Sequence, residues 1–270
     1  MRVLIRINGG PIISLNIHKL NKAWLKYTAR LFTFCLILIV LPARAETTST
    51  LPEWLKLSFE QQSRMQHLDG QFRAGINGSD QGFEWRNLLK AEVVNEKFSI
   101  TTELADMRTY LADDDTPLDS LINNPLDILQ ANLTLPLSSI FKKTDRGFLR
   151  IGRFTMDQGS RRFVARNRFR NTINSFAGLQ ARLENSRSSL ELFYTRPTKR
   201  RVSGDWIDND PRLDKQSKDL FWGAYLTTQL TAQEDSLQLY VLGADEKRDR
   251  QANQRFEVLT AGARLFRNPA

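Results

Sequence analysis

The chain has 270 residues, 39 basic against 30 acidic, and a formal net charge of +9. Most of that excess is local, because residues 1–45 hold seven Lys/Arg and no acid, which leaves the remainder at only +2. The single cysteine, Cys35, lies in the same leader, so everything after it is excluded from disulfide formation and from Cys-ligated metal chemistry.

The leader continues into the apolar run Leu31 to Leu41 and then Ala43-Arg44-Ala45, a small-x-small site before Glu46. Basic start, apolar middle and small-residue end are the parts of a cleaved secretory signal. The run has 11 residues, and a membrane-spanning helix needs ~20. Residues 1–45 are therefore read as a signal peptide and residues 46–270 as one unit, with no Pro/Gly/Ser-rich linker dividing it.

From Leu55 onward apolar and polar residues alternate with the period of two that marks a strand with unlike faces. The first strand is Leu55–Gln66, followed by a glycine-rich polar loop over His67 to Gly82. Phe83–Val94 and Phe98–Leu111 form a hairpin about Asn95-Glu96-Lys97, and an acidic loop from Asp113 through Asp127 leads to Ile128–Leu135. A connection over Pro136 to Arg146 precedes Gly147–Thr155, a long loop to Ser175, Phe176–Glu184, the turn Asn185–Ser188 and Ser189–Arg196. Another long loop, Pro197 to Asp219, is followed by Leu220–Leu230, the turn Thr231–Asp235, Ser236–Ala244, a loop to Gln254 and Arg255–Phe266.

Strands of roughly 9–11 residues suffice to cross a bilayer when tilted, and most of these ten fall near that length. Short turns alternate with long loops, so all the long loops fall at one rim. Together with the export signal, this reads as an all-β fold, an antiparallel transmembrane β-barrel. Trp85, Trp222, Phe221, Tyr194 and Tyr240 lie near strand ends, as an aromatic girdle requires. The sequence stops at Pro269-Ala270, just past a strand and without a terminal aromatic, so it reads as the N-terminal part of a wider barrel.

The charge distribution carries the functional signal. Residues 147–201 hold 13 Lys/Arg against Asp157, Glu184 and Glu191, and twelve of the thirteen are arginines. Planar guanidinium forks grip carboxylates or phosphates bidentately and stay charged at any pH. Charge of one sign focused in a channel concentrates the opposite ion, so the partner is anionic, with carboxylated sugars the natural candidates. The loop Asp157–Ser175 alone has five arginines and one acid, and folded into a lumen it would form a constriction. Arginines at the cell surface would instead bind lipopolysaccharide phosphates.

Leu149-Arg150-Ile151-Gly152-Arg153, Gly159-Ser160-Arg161-Arg162, Phe169-Arg170-Asn171-Thr172 and Ser175-Phe176-Ala177-Gly178 resemble the alginate export family. The clear likeness covers about residues 147–184. It implies an outer-membrane barrel of about eighteen strands, of which ten are present here, with an electropositive lumen that passes an anionic polysaccharide outward. It also implies that Arg150, Arg153, Arg161, Arg162, Arg168 and Arg170 contact the polymer, and the same arginine field adds Arg166 and Arg182. Ala177 departs from the pattern, which expects an acid between Phe and Gly.

The expected function is an outer-membrane channel for an alginate-like polyuronate. The alternatives are a porin-like channel for small anions or uronate oligomers and a non-transporting surface-binding barrel. The expected partners are the polysaccharide, outer-membrane lipid and lipopolysaccharide, and a periplasmic export machinery. No cofactor or metal is implied: Asp205, Asp208, Asp210 and Asp214 lack the ordered spacing of a calcium loop. Export argues against nucleic-acid binding by Arg161–Arg170. Enzymatic activity is not expected, since His67 beside Asp69 is the only histidine after the leader and reads as a loop residue.

Overall fold

The computed structural model describes residues 2–5, 13–16, 51–70, 78–114, 116–118, 122–137, 146–159, 161–200, 206–211, 213–230, 235–247 and 255–267. Within the leader these comprise β1 (Arg2–Ile5) and β2 (Ile13–Asn16), an antiparallel pair in a unit of its own, Met1–Thr50. The apolar run and cleavage site of the expected signal lie outside the described residues.

The second unit is one antiparallel sheet built from β3 (Leu55–Leu68), β4 (Asp80–Val94), β5 (Ser99–Tyr110), β6 (Asn124–Pro136), β7 (Arg146–Phe154), β8 (Phe176–Glu184), β9 (Ser188–Lys199), β10 (Lys215–Gln216), β11 (Leu220–Gln229), β12 (Ser236–Lys247) and β13 (Arg255–Phe266). The two-residue β10 adds onto the end of β9. Every other strand pairs with the next in sequence, and among the described residues the sheet is open, with β3 and β13 at its two ends. All ten strands expected from the alternation are present. β6 begins at Asn124, four residues earlier than expected, which moves Asp127 from the acidic loop onto a strand.

Asparagine sets the two tightest turns. Asn95 Oδ1 accepts from the Lys97 amide at 3.1 Å, and Asn185 Oδ1 accepts from the amides of Arg187 and Ser188 at 3.0 and 2.8 Å. Such side-chain turns preset the reversal between strands. Consecutive antiparallel pairing then places these turns at one rim and the loops after β3, β5, β7 and β9 at the other.

The two faces differ as the alternation requires. One carries exposed Leu57, Phe59, Leu89, Leu104, Leu192, Leu226 and Leu239, an apolar surface suited to hydrocarbon. Trp85 and Tyr194 sit on this outer face, but Phe221 and Tyr240 pack against the buried cluster of the opposite face. The girdle reading is corrected for those two, because each occupies the other phase of its strand. The inner face carries buried Glu84, Arg86, Glu103, Asp127, Gln130, Asn132 and Gln180.

Candidate functional site: the loop-filled inner face

The segment Thr155–Ser175 between β7 and β8 lies along the inner face, and its own apolar residues hold it there. Met156 and Val164 are buried with Phe154, Phe176, Phe193, Tyr225 and Leu242, while Ile173 enters a second cluster with Leu88, Ala105, Met107 and Leu129. Burying one such side chain is worth about 1.5–3 kcal/mol. The second cluster exists because Leu129 occupies a register shift between Glu103↔Gln130 and Leu104↔Ile128, which brings Leu129 and Gln130 in turn to the buried face. Left-handed backbone at Gly159, Arg161 and Asn167 folds the segment back on itself.

Polar fasteners span the sheet. At one side Arg64 donates to the Phe169 carbonyl at 2.7 Å, and Arg86 donates to the carbonyls of Arg168 and Arg170 at 3.3 and 3.1 Å. At the centre Arg166 grips Glu103 with both terminal nitrogens, at 2.7 and 3.1 Å, and donates to Thr155 Oγ1 at 2.8 Å. Farther along Gln158 donates to Glu191 at 2.7 Å, and the Phe163 ring lies 5.8 Å from that of Tyr240. One loop thus reaches from β3 and β4 to β12, which requires the sheet to curve around it.

The eight sequence-predicted arginines fall into distinct environments. Arg150 points inward from β7 with neutral hydrogen-bond partners, Gln180 Oε1 at 3.0 Å and Thr134 Oγ1 at 3.3 Å, and lies 4.9 Å from the Phe148 ring centre. Arg153 is ion-paired with buried Asp127 and donates to Ser175 Oγ at 3.0 Å. Ala177, where the family pattern expects an acid, is the register partner of Arg153, so Asp127 on β6 supplies the carboxylate that position 177 lacks. Arg166 belongs to the Glu103 pair.

Arg161 and Arg168 are 59% and 71% exposed at their side chains and approach Asp157 only at 3.6 and 3.9 Å. Pairs that exposed contribute little to stability, so these guanidinia are available to a ligand. Arg162 is exposed, while Arg170 is partly buried with its carbonyl taken by Arg86. Arg182 stands apart near the short-turn rim, 3.2 Å from Glu184.

The residues that sequence reasoning missed are mostly acids. Glu84 pairs with Arg64, Glu60 with Arg86 at 3.0 Å, and Gln130 donates to Glu103 at 2.5 Å. Inward phase on a strand was the available signal, and for Asp127 the misplaced strand start hid it. The loop after β9 adds another acid to this network. The Asp214 side chain is buried, its amide donates to Asp127 at 3.3 Å, and its carboxylate accepts from Asn124 at 3.0 Å, so it joins the Arg153 network. Asn209 clamps the same loop to β5, accepting from the Thr109 amide at 3.1 Å and donating to its carbonyl at 2.9 Å. Asp205 lies outside the described residues. His67 is on the exposed side of β3, and Asp69 accepts from Ser79 at 3.3 Å.

An antiparallel meander with an apolar outer face and an inner face of buried polar residues is the pattern of the outer-membrane β-barrel class. Within that class, the model of one family, described as alginate export, matches residues 53–269. The chain belongs to the alginate export family. No curated protein and no solved structure matches it.

Proposed function

We propose that this chain forms the wall of an outer-membrane conduit for an anionic polysaccharide of the polyuronate type. The observation that carries the reading is the position of the Thr155–Ser175 loop, which holds Arg161, Arg162 and Arg168 exposed on the inner face. Cations on such a loop attract a polyanion, and several weak contacts pass it along without trapping it at one site. Arg150, Arg153, Arg166, Arg170 and Arg182 set the charge and shape of the surrounding wall. The outer face meets membrane lipid, lipopolysaccharide lies around the long-loop rim, and a periplasmic export apparatus delivers cargo at the short-turn rim.

Planar-bilayer recording tests the reading. An anion-selective current that soluble polyuronate blocks is the expected result, and Arg161→Ser, Arg168→Ser and Arg170→Ser together lower the anion preference severalfold. A current indifferent to the polymer supports a small-anion porin instead, and binding of lipopolysaccharide with no current supports a surface-binding barrel. Export itself is tested by sequencing the N-terminus of membrane-inserted protein. Cleavage after Ala45 leaves Glu46 first, and an intact Met1 in the mature protein overturns the signal.

A further inference from the structure

Between the inserted loop and the strands β11–β13 lies a recess of about 210 Å³ on the inner face. Its lining includes Arg162 and Phe163 from the loop and Tyr225, Gln238, Tyr240 and Arg264 from the strands. We propose that this recess is a subsite for a single carboxylated sugar ring. The inference rests on the polyuronate reading and assigns it a place and a stereochemical basis.

The floor is aromatic and fixed. Tyr225 and Tyr240 are stacked, with centroids 5.5 Å apart and planes inclined by 24°, and Phe163 leans on Tyr240 from the loop side. Tyr240 lies flat across Gly262, its register partner on β13: a Cβ there would sit 2.3 Å from the Tyr240 hydroxyl oxygen and 2.4 Å from the ring. The missing side chain fixes where the ring rests. The loop wall is set the same way, since a Cβ on Gly159 would stand 2.6 Å from Gln238 Oε1. Flat aromatic faces match the C–H faces of a pyranose, and Phe163, at 60% exposed, keeps such a face open to solvent.

The charge is of the right sign and unspent. Arg166, Arg153, Arg64 and Arg86 are each committed to a carboxylate. Arg162 and Arg264 have no ion-pair partner among the described residues, and the Arg264 guanidinium rests 4.7 Å from the Phe266 ring centre. Two guanidinia without an ion pair among the described residues, beside an aromatic floor, select a ring bearing a carboxylate over a neutral ring. The volume is below the ~300 Å³ at which drug-sized ligands are enclosed, which limits the recess to one unit of a polymer.

The test uses the full chain in detergent, titrated calorimetrically with a short oligomannuronate and with its neutral manno-oligosaccharide counterpart, alongside polymer block of the current. Arg264→Gln and Arg162→Gln are each expected to weaken oligomannuronate binding about tenfold, the size of one charge-assisted contact, while leaving the weaker neutral binding unchanged. Tyr240→Ala weakens both ligands, and Tyr240→Phe, which keeps the ring over Gly262, weakens neither. Arg162 is exposed on the loop, so its variant folds even if changes on β12 or β13 do not. If both arginine variants bind within about twofold of the parent while polymer still blocks the current, the recess is not a subsite and the conduit reading stands. If the parent protein shows neither binding nor block, both readings fall together.

Discussion

Glu103→Ala is expected to release the inner-face loop, lowering the unfolding midpoint and raising single-channel conductance. Glu103 is 3% exposed and holds Arg166 through two hydrogen bonds, while Gln130, which donates to the same carboxylate, accepts from the Thr155 amide at 3.1 Å. Removing the acid leaves a half-buried guanidinium without its counter-charge and unlinks the start of the loop from β6. Breaking one partner out of a buried pair costs about 3–5 kcal/mol, and some access of Arg166 to water places this case near 3 kcal/mol. Because Arg166 is the central fastener, the conductance rise should accompany the loss of stability. Adding Arg166→Ala restores part of the stability, since the uncompensated charge is then gone, and the two changes together cost less than their sum. Thermal loss of the compact gel form and conductance on the same preparation measure both effects. Strict additivity, or unchanged conductance, would show that this pair does not fasten the loop.

The same pairing revises how the arginine-rich segment works. A local excess of positive charge suggests a uniform cationic ring, yet Glu103, Asp127 and Glu84 reach the inner face from other strands and take up Arg166, Arg153 and Arg64. Those arginines act as fasteners between wall and loop. Among the described inner-face residues, Arg161, Arg162 and Arg168 on the exposed side of the loop and Arg264 on β13 present charge to solvent. Arg150, hydrogen-bonded to neutral groups, keeps a positive charge in the wall between them. In the proposed conduit, selectivity and stability fall to different arginines, and the two should separate under mutation.

Much of the fold was legible because one side of each strand must be apolar and the other polar. Leu237, Leu239 and Val241 placed one face of β12, which by itself puts Gln238, Tyr240 and Leu242 inside. For Tyr240 residue type suggests a membrane interface whereas phase points to the interior, and phase prevails. At β6 the difficulty is physical: the shift at Leu129 breaks the period of two, so counting back by twos from Leu135 and Leu133 puts Asp127 on the outer face, whereas it is buried on the inner one. The site was less legible than the strands. The Asp157–Ser175 loop is polar by composition, and its placement depends on Met156, Val164 and Ile173, isolated apolar residues whose partners lie on strands far away in sequence. The Arg153–Asp127 pair is likewise a long-range contact, visible only once β6 and β7 are in register.

The register of β6 and β7 depends on one backbone position, and Gly152→Ala is expected to disrupt it. Gly152 has φ +123°, a region that residues with a Cβ rarely enter, and an added Cβ would stand 2.4 Å from the Ala131 carbonyl oxygen and 2.9 Å from the Asn132 Cα. Both obstructions are backbone of the neighbouring strand, so no side-chain rotation relieves them and the strands must part. Immediately after this glycine, Arg153 and Phe154 both make buried contacts, to Asp127 and to the Val164 cluster, a break in simple alternation that the unusual backbone permits. Parting β6 from β7 therefore loses ladder hydrogen bonds together with the seat of the loop. Backbone strain alone costs about 1–3 kcal/mol, and with the clash the total exceeds that range, enough to abolish recovery of folded protein. Gly70→Ala is the matched control: its φ is +64°, no atom lies within 4 Å of the added Cβ, and only the left-handed penalty of about 1–2 kcal/mol applies. Recovery of the compact form after detergent refolding should collapse for the first variant and stay near the parent for the second, and equal recovery of the two would mean that the backbone at 152 does not fix this strand pair.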